Sequence, residues 1–204
     1  MSQLILDRPR TVTAAPAAAP SPVPAAARAV ASRPRPAART AVSVAVAVPS
    51  PQPDGSEPLQ FRPESEAGLA LGAARADVVR LGFSARVPSI ATMRRLVVAV
   101  EEEIAAVGRD RSSVRIVLDI EVVVADDDAT ARRKRALLDH LDALAGIAWT
   151  PSATRVVAAP SGVVDAAMTL GGRVGADEVV LVVLAGSADV ERLRLLVVDA
   201  RTAA

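Results

Sequence analysis

A chain of 204 residues with a net charge of +1 is long enough for one folded domain and too close to neutral for a broad nucleic-acid footprint. It has no cysteine, which excludes disulfides, thiolate metal sites and a cysteine nucleophile and suits a reducing cytoplasm. Ala and Val dominate a hydrophobic fraction of 51%, and the only aromatics are Phe61, Phe83 and Trp149, too few for base-stacking platforms.

The N-terminus, Met1 to Asp7, has no basic stretch ahead of an apolar core, so no secretory signal is expected. Eleven of the fifteen prolines lie at or before Pro58, among Ala runs and six arginines. Such a segment cannot hold a helix or a central strand and lacks large apolar groups for a core. Residues 1–57 are therefore expected to be a disordered tail, or a weakly basic arm that touches an acidic surface. Within it, A-V-S-V-A-V-A at 42–48 could pair as a short strand.

Residues 58–204 alternate strand-like and helical patterns, as a parallel α/β fold requires. The first strand is Leu59 to Phe61, followed by a turn carrying Ser65 and a short Ala-rich helix over 66–75. A strand is expected at 77–81. Ile90, Met93, Val97, Val100, Ile104 and Val107 make one apolar helix face over 88–107, with Pro88 suited to its first turn and Gly108 to its stop. From Val114 to Val124, even-numbered apolar residues share one strand face; Arg115, Asp119 and Glu121 share the other with Val117 and Val123. Asp126, Asp127 and Asp128 open a helix to about Ala145, at the positive end of its dipole. Pro160 starts another, ending at Gly171-Gly172. Glu178 to Leu184 reads as a strand covered on both faces, and a last helix spans about 188–200. The longest apolar run, Val179 to Ala185, falls well short of the ~20 residues that cross a bilayer. Neither a membrane nor a nucleic-acid partner is expected, and the expected location is the cytoplasm.

Several of these pieces resemble, in order, the C-terminal part of the luciferase-like flavin-dependent monooxygenases. L-Q-F-R-P-E-S-E-A-G-L-A-L-G-A-A-R-A-D-V-V at 59–79 resembles the family's strand, its Q-A-G-x-S-x-x-G turn, the next helix and its A-D-x-V-F strand. A-V-G-R-D at 106–110 and the strand after it are similar to a helix end and strand of the family. D-D-A-T-A-R-R-K at 127–134, A-A-P-S-G-V-V-D at 158–165 and G-A-D-E-V-V-L at 175–181 resemble its T-x-x-E-A-x-x-K, G-T-P-x-x-V-A-D and G-A-D-G-F-x-L segments. The resemblance implies a (β/α) barrel with its site at the C-terminal strand ends. It also implies reduced FMN, oxygen and a small organic substrate, with a flavin reductase or a homo- or hetero-oligomer as partner. A full barrel takes ~250 residues, so a partial, TIM-barrel-like domain at 58–204 is expected, with the N-terminal barrel half absent.

The same resemblance assigns cofactor phosphate to the turn of Ser65, Glu66 and Gly68; Arg62 joins these candidates by its charge, not by a family match. Ser65 would offer a hydroxyl at a helix N-terminus; local chemistry alone favours a plain N-cap, and family position makes it the phosphate candidate. Gly68 would permit close backbone approach or helix–strand packing, and Arg62 would neutralise phosphate or lie solvated. Arg62-Pro63-Glu64 stands where the family has Ala-Gly and a variable residue, Glu64 and Glu66 put negative charge beside the site, and Glu178 and Val179 replace the family's Gly and aromatic, so weak or lost FMN binding is expected. No catalytic residue is assigned. Asp119 and Glu121 read as an acid pair or an ion-paired polar face. The three acids at 126–128 read as a charged helix start, His140 as a surface histidine and Trp149 as loop packing or a pocket wall. No metal ligands stand at the required spacing. The function expected is an FMN-dependent oxidoreductase of the monooxygenase type, impaired by the missing half. The alternative is an inactive remnant that acts as a binding or assembly partner.

Overall fold

A computed structural model describes residues 43–46, 58–147, 149, 151–184 and 186–202. All of them fall within one compact unit, Ala37–Ala204. The elements in chain order are β1 (Ser43–Val46), β2 (Gln60–Phe61), α1 (Glu66–Arg75), β3 (Val78–Gly82), α2 (Ile90–Ala106), β4 (Arg115–Val124), α3 (Asp128–Leu144), β5 (Val156–Ala158), α4 (Pro160–Val174), β6 (Glu178–Val183) and α5 (Ser187–Thr202). Every strand pairing is parallel. The sheet runs β1-β6-β4-β3-β2, and β5 joins the distal end of β4.

Strand β1 lies inside the segment whose composition reads as a tail, and it fulfils the strand expected at 42–48. Its alternation of small and β-branched residues suits an edge position beside β6. The rest of 1–57 lies outside the described residues.

The two faces of β4 part as the alternation predicts. Ile116, Leu118, Ile120, Val122 and Val124 are buried together with Val79, Leu81, Val179 and Leu181. Against them pack Met93, Val97, Val100 and Ile104 of α2, Val163, Ala167, Leu170 and Val174 of α4, and Leu193 and Val197 of α5. This apolar face holds the core. The opposite, polar face carries Arg80, Arg115, Asp119, Glu121 and Glu178 in register. On that side α3 packs through a small cluster of Val123, Ala125, Ala131 and Val157 with Leu138. Strand β6 is therefore not buried on both faces as its composition suggested: Val179 and Leu181 are buried, whereas Val180 and Val182 are partly exposed. Its apolar run meets helices on one side only.

Helix boundaries follow local chemistry. Pro88 sits just before α2, and Ser89 is its N-cap, accepting from Thr92 N at 3.2 Å, so Pro88 is outside the first turn. Gly108 (φ 75°) ends that helix as expected. Helix α4 runs past Gly171-Gly172 and stops at Gly175, whose φ of 85° is left-handed and suits glycine. An internal Gly pair weakens a helix but does not end it without such a cap.

Candidate functional site

In parallel α/β sheets, ligands bind beyond the carboxyl ends of the strands. Here that rim is built first by the turn leaving β2. Phe61 ends the strand, and Ser65 caps α1 in an extended conformation (φ −150°, ψ 168°). Its Oγ accepts from Gly68 N at 3.1 Å. Of the remaining first-turn donors, the N–H groups of Glu66 and Ala67 have no intrahelical acceptor. Glu66 is exposed in that turn. A Cβ on Gly68 would stand 3.4–3.7 Å from Ser65 Oγ, Pro63 Cα and Phe61 Cε1, so the turn itself fills the space above it. Close helix–strand packing is concentrated one turn on, where a Cβ on Gly72 would come within 2.9 Å of Phe61 Cδ1.

Arg62 turns away from this helix end. Its guanidinium forms an ion pair with Asp119 on the polar face. Arg80 meets the same carboxylate with Nη2 at 2.5 Å and Nε at 3.1 Å, and reaches Gln60 Oε1 at 3.4 Å. Asp119 is only 6% exposed, so it is a buried anion held by two cations from β3 and the β2 turn. Asp119 and Glu121 share a face as expected but serve different partners. Arg155, which precedes β5, donates to Glu121 at 3.0 Å and to Asp142 of α3 at 3.1 Å. Arg115 pairs with Glu178 at 3.5 Å. The acid pair is thus an ion-paired polar surface.

Beside these pairs lies a cleft of about 140 Å³ bordered by Arg62, Phe83, Asp119, Trp149, Thr154 and Arg155. Two of the three aromatics of the chain therefore meet at one spot, and Trp149 is a pocket wall. The buried Thr154 hydroxyl is spent on Pro151 O at 3.1 Å.

Among the described residues, Arg86 reaches the Ser65 turn. Ser84 and Val87 close a tight antiparallel bridge after β3 that presents Arg86 at its tip. Arg86 Nη1 donates to Glu64 O at 2.9 Å. Sequence reading missed it. The signal was available in principle, since β2 and β3 are neighbours and the loops that follow them must lie side by side.

The other candidates stay apart from this rim. Asp127 caps α3 through Thr130 N at 2.7 Å, and that backbone bond, with the Thr130 hydroxyl next, holds its carboxyl below the usual value of 3.8. Asp128 lies in the first turn of α3 and Asp126 pairs with Arg192 at 3.1 Å. His140 is exposed on α3. No group of residues among those described could hold a metal ion, and no described helix is long and apolar enough to cross a membrane.

No protein-family model matches the sequence, and no curated protein matches it either. Solved structures do. The fold is similar to EDTA monooxygenase (EmoA) from Chelativorans sp. BNC1, at 13% identity and a TM-score of 0.53 over 74% of this chain and 48% of that one. It is similar to riboflavin lyase (RcaE), solved with modified FMN and riboflavin, at 18% and 0.55 over 72% and 43%. It is similar to flavoprotein 390 at 14% and 0.54 over 72% and 69%. The chain spans less than half the length of the first two. The domain has the α/β fold of the luciferase-like flavin-dependent monooxygenases, as a part of their barrel.

Proposed function

We propose that this domain is the phosphate-holding part of a luciferase-like, FMN-dependent oxidoreductase of the monooxygenase type. The observation that carries the reading is the β2–turn–α1 unit at the C-terminal rim, with Ser65 at the helix N-terminus and Arg86 brought over the turn. The FMN phosphate would meet the free first-turn N–H groups and the positive dipole end. Arg86 would offset Glu64 and Glu66 there, in place of Arg62, which is engaged by Asp119. When bound, reduced flavin supplies the reaction with oxygen that oxidises a small organic substrate. The chain's own residues orient the phosphate and wall the rim with Phe83 and Trp149.

The fit is good at the phosphate and poor at the ring. A cleft of about 140 Å³ is below the ~300–1,000 Å³ of ligand pockets. A further wall, from another chain or another part of a longer one, is needed to enclose the ring. A flavin reductase is the partner class this reading calls for. The same shortfall favours the second reading, a remnant that binds a partner without catalysis.

A flavin titration followed by fluorescence separates them. The first reading expects weak FMN uptake by the isolated protein, further weakened by Arg86→Ala and by Ser65→Ala. A charged hydrogen bond is worth about 1.5–3 kcal/mol, so each variant should lose roughly tenfold or more. No uptake at any concentration supports the remnant. Uptake unchanged in both variants overturns the phosphate assignment.

A further inference from the structure

Helix α3 turns most of its large apolar side chains outward. Leu137, Leu141 and Leu144 are 57%, 50% and 71% exposed, and Ile147, just past the helix end, is exposed beside them. To its own sheet the helix gives only Ala131 and Leu138. Helices α2 and α4 do the reverse. They bury Met93, Val97, Val100 and Ile104, and Val163, Val164, Ala167, Leu170 and Val174. Each leaves a single large apolar group exposed, Val98 and Met168. Isolated groups of that kind are ordinary, whereas a contiguous exposed stripe marks an interaction surface.

The charges around the stripe are one-sided. Spacings of four and three residues place the three leucines on one helix face, within roughly 60° of one another. Arg133, Lys134 and His140 border that face. Asp128, Asp139 and Asp142 project roughly 140° or more from Leu137, and Asp142 is held by Arg155 at 3.1 Å. Arg133 donates to Thr130 Oγ1 at 2.8 Å and lends its field to Asp127, the N-cap; among the described residues no carboxylate forms an ion pair with it. Lys134 donates to Val124 O at 2.6 Å and keeps two further N–H donors. The face therefore runs from cations in the N-terminal half of α3 to leucines in the C-terminal half, with no acid between.

We infer that this face of α3 docks an acidic amphipathic helix of a partner protein. The leucines ask for an apolar stripe at the same spacing, ridge against groove. Arg133 stands four residues, about 6 Å along the axis, before Leu137. The partner's carboxylates must then lie about one turn beyond its own apolar stripe, where they meet Arg133 and Lys134 and fix the register. A lipid surface fits less well. A helix lying in a membrane interface carries cations along a polar face that borders its whole apolar face, and here they cluster at one end of it. A second copy of this chain also fits less well. An antiparallel α3 pair centred on Leu141 would leave Arg133 and Lys134 with no carboxylate opposite, and a parallel pair would set them side by side. Three leucines make a small contact, of the size of transient encounters. The inference stands on α3 alone and does not rest on the flavin reading.

The test uses the full chain and a fluorescein-labelled synthetic peptide of about 15 residues, long enough for a nascent helix. The peptide carries leucines at i, i+4 and i+7 and glutamates one turn beyond them. A control peptide has lysines in place of the glutamates. Anisotropy titrations compare the native chain with Leu137→Ala/Leu141→Ala and with Arg133→Gln. Circular dichroism checks the fold, and Leu144→Ala replaces the double variant if that does not fold. The acidic peptide should bind in the micromolar to sub-millimolar range and the lysine peptide should not. The leucine variant should weaken binding roughly tenfold, and Arg133→Gln roughly two- to fivefold at low salt. Several outcomes overturn the inference: no binding of the acidic peptide at about 1 mM, equal binding of the lysine peptide, or binding unchanged in the leucine variant. So does leucine-dependent binding to phosphatidylglycerol vesicles without peptide binding, which assigns the face to lipid. A leucine-dependent dimer in sedimentation without peptide binding assigns it to a second copy and overturns the inference as well.

Discussion

Asp119 is the tightest polar node of the sheet, and its removal gives the sharpest stability prediction. Its side chain is 6% exposed, against 29% for Arg80 and 59% for Arg62. Asp119→Asn keeps the shape and removes the charge that three guanidinium N–H groups share. A charge-assisted hydrogen bond is worth about 1.5–3 kcal/mol, and both cations can recover water. The net cost should be about 2–3 kcal/mol, below the 3–5 kcal/mol of a fully buried pair broken on one side. Arg62→Ala should cost no more than about 1 kcal/mol, because a pair open to solvent is screened. Arg80→Met should fall between them, since Arg80 makes two of the three contacts. Equilibrium urea unfolding reads these as shifts of the midpoint at constant slope. Equal costs for Asp119→Asn and Arg62→Ala, or a cost under ~0.5 kcal/mol for Asp119→Asn, would refute the view that burial of this one carboxylate sets the scale.

Gly72→Ala should destabilise by roughly 1 kcal/mol. The 2.9 Å approach to Phe61 costs about 1–3 kcal/mol of overpacking, less about 1 kcal/mol of helix propensity; Gly68→Ala, with contacts of 3.4 Å or more, should not destabilise, and thermal melts compare the two. Gly175→Ala should cost about 1–2 kcal/mol, because φ is 85° and L-residues pay that much in the left-handed region; chemical denaturation measures it. Asp127 titrates below 3.8 in the folded chain because it accepts from Thr130 N. Its stabilisation is therefore present above the unfolded-state pKa and lost as pH falls through the folded one. Asp127→Ser should keep the cap and remove that part of the acid-side slope, read from unfolding midpoints between neutral and acid pH.

The periodic part of the fold was legible because burial and period agree. Ile116 to Val124 alternate, and the apolar side is where four helices dock. The turn around Ser65 was legible because serine is chemically able to cap, and its Oγ does so. Strand β5 was not legible, since Val156–Ala158 is three residues long and pairs only with the last three of β4. The burial of β6 was misjudged because an apolar run states what a strand tolerates and not what covers it. The ion pairs were the least legible part. Arg62, Arg80 and Asp119 are far apart in sequence, and they meet only once Gly82 is in register with Asp119.

That register explains why Arg62 pairs with Asp119. A guanidinium at the end of β2 has two anchors in reach: a phosphate above the α1 N-terminus, or a carboxylate two strands away on the polar face. Asp119 is fixed by β4, is almost out of water and is also bound by Arg80, so its acceptor geometry is preset. The phosphate end offers no preset anion and carries Glu64 and Glu66 nearby, which would hold a cation loosely in solvent. The buried carboxylate wins Arg62, and on the phosphate reading the cation left near the rim is Arg86, bonded to Glu64 O. Asp119→Asn should therefore release Arg62 as a second cation for the rim. If the phosphate reading is right, FMN affinity should rise severalfold in that variant while its stability falls, and Arg62→Ala added to it should erase the gain. A flavin titration on the single and double variants measures both effects, and a fall in affinity on Asp119→Asn would mean that the carboxylate supports the site instead of competing with it.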